Sequence, residues 1–183
     1  MKILLINGTI TGEKTKVLLK EVEKQLMEWI PSNEIQPLYL EDYDMQFADG
    51  RSKEDYNDDT VHLINQIEAA DGYIIATPVF QGSIPGALKN MFDLVSPKSM
   101  RYKPVAIIGN GGTFQHHLVI ENQLKPILDY FRCLTTPNYV YTHSGHFSHT
   151  KELIDEDVKN RLHELSYVFS KYLKMSQDMI HNQ

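Results

Sequence analysis

The sequence predicts a doubly wound α/β fold: a five-stranded parallel sheet with helices on both faces. Three observations carry this. Short apolar runs alternate with longer amphipathic stretches along the 183 residues, and strands that alternate with helices pair in parallel. The runs are apolar at nearly every residue, as strands covered on both faces are. Several end in loops of Gly, Ser, Thr and Asn, where folds of this class hold ligands. The length suits a single domain over residues 1–183, without repeat or linker.

Residues 2–7 read as a first strand closed by Gly8. Leu18, Val22, Leu26 and Ile30, at steps of four, predict a helix over 15–30 that Pro31 ends. Residues 34–40 form a second strand, and 41–57, without period, a loop. Asp58 or Asp59 can cap a helix reaching Ala70. Residues 72–76 are a third strand, 86–95 a helix, and 104–108 a fourth strand broken by Gly109. Ile120, Leu124, Ile127, Leu128 and Phe131 stripe a fourth helix. Residues 139–142 are a fifth strand, and 155–180 a closing helix.

Composition excludes some functions. Hydrophobic residues at 42% and charged residues at 23% are ordinary for a soluble globular chain. The net charge is −6, and residues 41–59 hold it: eight acids face only Arg51 and Lys53 there. No basic stripe exists to meet nucleic acid. No apolar run approaches the roughly 18 residues that would cross a membrane, and residues 1–7 lack the features of a secretory signal. With Cys133 alone, an intramolecular disulfide is impossible and a reducing, cytoplasmic setting is the default.

The loops after the first, third and fourth strands, residues 8–15, 77–86 and 109–115, fall at one sheet edge and describe one composite site. The first offers Gly8, Gly12, Thr9, Thr11 and Thr15 at the start of a helix. A helix amino terminus presents unpaired N–H groups and partial positive charge, so the loop suits a phosphate; the plainer alternative is a turn capped by Thr15. Lys14-Thr15 narrowly misses the triphosphate motif, because Glu13 separates Lys14 from Gly12. The strands also end without a magnesium-binding acid, which sets a phosphotransferase aside. In the second loop, Pro78 stiffens the chain, Gly82 and Gly86 let a flat ligand approach, Phe80 adds an aromatic face, and Gln81 and Ser83 add polar edges.

Residues 77–93, Thr-Pro-Val-Phe-Gln-Gly-Ser-Ile-Pro-Gly-Ala-Leu-Lys-Asn-Met-Phe-Asp, resemble at almost every position the central segment of the NADPH-dependent FMN reductase family, which includes azoreductase-type enzymes on a flavodoxin-like fold. Asn110-Gly111-Gly112 and residues 123–128 resemble its fourth loop and helix. The resemblance implies bound FMN, with NADPH or NADH as co-substrate. Hydride would pass to the flavin and electrons then to a small acceptor such as a flavin, quinone or azo compound. It places Thr9, Thr11, Lys14 and Thr15 at the phosphate, Pro78, Val79, Phe80, Gln81, Gly82 and Ser83 along the ring, and Asn110, Gly111, Gly112 and Thr113 at its other edge. No protein side chain is required as an acid or base, and a homodimer or homotetramer is implied. Thr11 stands where the family often has arginine, and Val79 where it often has glutamate. The missing guanidinium removes a contact of about 1.5–3 kcal/mol unless Lys14 or Lys16 replaces it. The main alternative is a flavodoxin-type electron carrier that does not itself oxidise NAD(P)H.

Other residues are assigned no chemistry. His143, His146 and His149 recur every third residue, a spacing that does not converge imidazoles in a loop, so no metal is expected. His116 and His117 follow the glycine loop and suit a solvated helix start, the alternative being a place near the substrate pocket; Cys133 suits a buried inert thiol. Lys98, Arg101 and Lys103 read as a solvated turn, the alternative being contact with the 2′-phosphate of NADPH.

Overall fold

In the computed structural model, which describes residues 1–181, the sheet is parallel throughout and its strands run in the order β2-β1-β3-β4-β5, with β6 also on β4. The strands are β1 (Ile3–Asn7), β2 (Ile35–Tyr39), β3 (Gly72–Pro78), β4 (Pro104–Gly111), β5 (Leu134–Thr135) and β6 (Val140–His143). The helices are α1 (Lys14–Leu26), α2 (Asp58–Glu68), α3 (Gly86–Leu94), α4 (Lys125–Tyr130) and α5 (Glu156–His181).

Alternation within the apolar strands builds two cores. Leu4 and Ile6, Tyr73 and Ile75, Val105 and Ile107 pack with Leu63, Ile67, Leu88, Met91, Leu124 and Leu128 from the middle helices. Their neighbours Ile3 and Leu5, Ile74 and Ala76, Ala106 and Ile108 pack with Leu18, Val22 and Leu26 of α1 and Leu162 and Phe169 of α5. β1, β3 and β4 therefore need apolar residues at successive positions, and this produces their near-continuous runs in the sequence.

The sheet has six strands, not the expected five. β5 and β6 lie on the first and last parts of β4, pairing Pro104 with Leu134 and Ile108 with Val140. Pro137, which has no N–H to donate, lies between them. α1 stops at Leu26, and the remaining turn to Ile30 tightens through Trp29 N–H to Leu26 O, 3.0 Å. Asn57, not Asp58 or Asp59, caps α2 by accepting from Thr60 N–H at 2.9 Å; the two aspartates occupy the first turn. Ahead of α4 the chain widens into a π-turn over Ile120–Leu124. Pro126 at the start of α4 cannot donate to Asn122, and the wider turn accommodates its ring.

β4 does not break at Gly109 but continues to Gly111. A Cβ at Gly109 would come 2.8 Å from the Tyr141 ring, and one at Gly111 would collide with the Tyr141 hydroxyl. These glycines admit a neighbouring side chain and do not mark a turn. Register sets Asn7 beside Ala76, Pro78 beside Asn110 and Gly111 beside His143, so four strands release their loops at one edge.

Candidate functional site

The cleft at this edge is built loop by loop. In the first loop Thr9 is fully buried; its hydroxyl donates to Thr11 O at 3.0 Å and accepts from Thr11 N–H at 3.2 Å. Thr9 therefore folds the loop and does not line the cleft. Gly12 turns the chain at φ +97°, with open space where a Cβ would stand. Thr11 to Thr15 line the cleft, and α1 begins there.

The second loop leaves β3 through Pro78, Val79 and Phe80, all lining the cleft. Phe80 and Ser83 exchange both backbone hydrogen bonds at 2.8 Å, around Gln81 (φ +48°) and Gly82 (φ +77°). Positive φ at both central residues marks a tight two-residue turn. Gln81, Gly82 and Ser83 thus form a rigid tip outside the cleft lining. Gln123 supports it, accepting from the Ser83 hydroxyl and donating to Gly82 O at 3.1 Å. Nothing in the sequence marked Gln123 for this.

The third loop ties itself to the second through Val79 N–H to Asn110 O, 2.8 Å. Asn110 lines the cleft but commits its side-chain amide to the Thr142 hydroxyl at 2.9 Å. Gly111 and Gly112 line it with backbone, and Gly112 leaves its Cβ direction open. Thr113 does not line it; its carbonyl accepts from the Tyr141 hydroxyl at 3.0 Å.

The sequence reading missed a fourth loop. Ser144 and Lys151, beyond β6, complete the cleft, whose volume is about 340 Å³. The Lys14 ammonium donates to the Ser144 hydroxyl at 2.9 Å and lies 5.3 Å from the Phe147 ring centre, bridging the first and fourth loops. A signal existed, since β6 ends at the same edge and its loop opens with Ser144-Gly145. Lys151 reaches the site through the loop's tertiary path, and its sequence position did not suggest it.

Phe80 is 39% exposed and also borders a neighbouring hollow of about 430 Å³. Ile10, Tyr43, Met45 and Phe47 line that hollow. The acidic loop is held in place there: Asn90 accepts from Ala48 N–H and donates to Gln46 O, both at 2.9 Å. Lys16 pairs with Glu41 at 2.5 Å, which raises its pKa, and does not line the cleft.

Several of the residues assigned no chemistry have structural partners. His143 accepts from Gly145 N–H at 3.1 Å while His146 accepts from His143 N–H at 3.2 Å, so the two rings fold their own turn. Burial lowers the His146 pKa, with the neighbouring His143 adding to the effect. Burial pushes the Cys133 thiol up to about 12, with Asp129 adding to it. Lys103 immediately precedes β4 and donates to Glu68 O at 3.0 Å, at the opposite edge of the sheet from the cleft. Lys98 and Arg101, just upstream, are separated from the cleft by the same strand.

The fold is that of a flavodoxin-like α/β protein, with a cleft at the carboxyl edge of its sheet. Residues 1–147 match the model of the NADPH-dependent FMN reductase family, and the chain belongs to that family of oxidoreductases. It is 48% identical over 167 residues to an NAD(P)H-dependent FAD/FMN reductase of Geobacillus thermodenitrificans, covering 91% of this chain and 90% of the relative. It is 30% identical over 160 residues to an NADH-dependent FMN reductase of Pseudomonas fluorescens, covering 87% and 84%. The solved flavoenzyme NAD(P)H:(acceptor) oxidoreductase of Paracoccus denitrificans superposes with a TM-score of 0.74 at 20% identity, covering 96% of this chain and 98% of that one; this likeness speaks for the fold. The cleft suits the family's cofactor chemically: Gly12 and Gly112 leave open space at its wall, and it combines lysines, hydroxyls and a helix amino terminus with apolar Pro78, Val79 and Phe80.

Proposed function

We propose that this chain holds FMN in the four-loop cleft and uses NAD(P)H to reduce a small acceptor, a flavin, quinone or azo compound. The observation that carries the reading is the composition of one continuous lining, which joins Thr11, Lys14, Thr15 and Lys151 to the apolar wall of Pro78 to Phe80 and the bare backbone of Gly111 and Gly112. When bound, the flavin supplies the redox chemistry, taking hydride from the nicotinamide and passing electrons on.

The protein's own residues bind and orient. Thr11 to Thr15 and the start of α1 receive the phosphate. Phe80 presents its face to the ring, and the Gln81-Gly82 turn, braced by Gln123, keeps that face in place. Backbone at Asn110 to Gly112 borders the ring's other edge. Thr9, Gln81, Gly82, Ser83 and Thr113 act by shaping these loops. The hollow on the far side of Phe80 is apolar and open enough to admit a flat acceptor. The setting is cytoplasmic, and the assembly is a homodimer or homotetramer through the exposed faces of α2 and α3; a monomeric mass in light scattering contradicts the latter.

Anaerobic bleaching tests the function. The FMN-loaded protein receives NADPH or NADH while flavin absorbance is followed. Rapid bleaching supports the reductase and gives the nucleotide preference. Bound flavin that neither nucleotide bleaches supports the carrier instead.

A further inference from the structure

The cleft is short of positive charge where a phosphate would need it. Of the basic residues near the first loop, Lys16 is taken by Glu41 at 2.5 Å, with Glu13 also at 3.7 Å. Lys14 lines the cleft, but Glu13 beside it does too, and the Lys14 ammonium already bonds the Ser144 hydroxyl. In formal charge Glu13 matches Lys14 and Glu41 matches Lys16, so the side chains around the first loop sum to no net charge for a dianion. The other cation in the lining is Lys151.

Lys151 is rigidly presented. Phe147 and Leu153, 7% and 9% exposed, anchor the two ends of its loop in the core and pair across it. Between them Ser148 N–H bonds Glu152 O and Lys151 N–H bonds Ser148 O, both at 2.9 Å. Lys151 takes φ +65°, a conformation that side-chain-bearing residues adopt rarely and that the surrounding bonds hold. It has no ion-pair partner among the described residues. The nearby Glu152 carboxylate is engaged by the Thr150 hydroxyl at 3.2 Å.

We infer that Lys151, carried by the Phe147–Leu153 turn beside the start of α1, is the phosphate-selective contact of this cleft. This rests on the proposed flavin-phosphate reading of the cleft. A positioned ammonium with no internal partner contributes its charge only when an anion arrives. The fourth loop thereby makes the site prefer the phosphorylated flavin over the same ring without phosphate.

The test is a flavin titration of the full-length protein, freed of flavin, with FMN and with riboflavin. Lys151→Gln raises the Kd for FMN about tenfold and leaves riboflavin unchanged, as removal of one charge-assisted contact predicts. Lys151→Arg restores FMN affinity, and the FMN preference weakens as salt rises. Lys98→Gln, at the far edge of the sheet, changes neither ligand. Equal weakening of FMN and riboflavin in Lys151→Gln makes Lys151 merely structural and overturns the inference, as does an unchanged FMN affinity. If the unaltered protein binds riboflavin as tightly as FMN, the phosphate reading of the whole cleft fails, and the inference with it.

Discussion

The two edges of the sheet use similar residues to opposite ends. At the amino edge polar groups answer one another: Lys2 N–H bonds Asp71, Asp71 N–H bonds Lys2 O, and Lys103 donates to Glu68 O. The Ser176 hydroxyl of α5 reaches Tyr102 O at 2.8 Å, sealing the final helix against that edge. At the carboxyl edge Gly12 and Gly112 face open space, and Lys151 has no acid partner among the described residues. Basic residues at the first edge close a structure; at the second, Lys14 and Lys151 line a cleft. Lysine number or spacing along the chain does not distinguish the two. The winding of the sheet does.

The largest effect that can test this contrast is at Gly111. An added methyl meets the Tyr141 hydroxyl, so Gly111→Ala lowers stability by about 1–3 kcal/mol, a fall of roughly 3–10 °C in Tm. Removing that hydroxyl as well, in the Gly111→Ala/Tyr141→Phe pair, recovers part of the loss, a non-additivity that thermal unfolding reads directly. Additive losses would contradict the close approach.

Phe80→Ala sharpens the division of labour inside the cleft. With 39% of the residue exposed, stability stays within about 0.5 kcal/mol. FMN and riboflavin both weaken by about 1–2 kcal/mol, because the lost stacking concerns the ring they share. A loss confined to FMN in flavin titration would move Phe80 away from the ring.

Asn57→Ala removes the α2 cap and the donor to Asp44 O at 2.8 Å. It costs about 1 kcal/mol in denaturant unfolding. Asp58→Ala leaves the cap in place and costs less; the reverse order would restore the aspartate as cap.

The smallest effects are at the amino edge. Neutralising Lys98 and Arg101 leaves the KM for NADPH within about twofold, since the whole sheet separates them from the cleft. The Cys133 thiol, raised to about 12 from an ordinary 9.0, stays protonated and unreactive at neutral pH. Its buried neutral form adds stability that is complete below pH 9 and is lost as pH rises toward 12, so the alkaline limb of a pH–stability curve flattens in Cys133→Ala. Fast labelling by a thiol reagent at pH 7.5 would contradict its burial.

Much of this was legible in the sequence. Doubly covered strands write themselves as apolar runs, and β1, β3 and β4 were placed by that pattern. Three of the four loops followed because glycine and hydroxyl residues concentrate at strand ends. Other features depended on contacts distant in sequence. Gly109 and Gly111 looked like a strand break because sequence alone does not reveal Tyr141 lying across them. Thr9 looked like a ligand contact because its hydroxyl's actual partner, the backbone of Thr11, depends on the turn's conformation. Two aspartates hid the true cap at Asn57. Lys151 lies eight residues beyond the end of β6, and only the tertiary path of its loop returns it to the cleft.

The central claim is that one flavin-phosphate cleft is assembled from four loops at the carboxyl edge. Amide hydrogen exchange with and without FMN tests it most directly. Protection confined to residues 10–15, 78–80, 110–112 and 144–151, with 97–103 unchanged, is the predicted result. Protection at 97–103, or a fourth loop that exchanges equally fast with and without FMN, would contradict it.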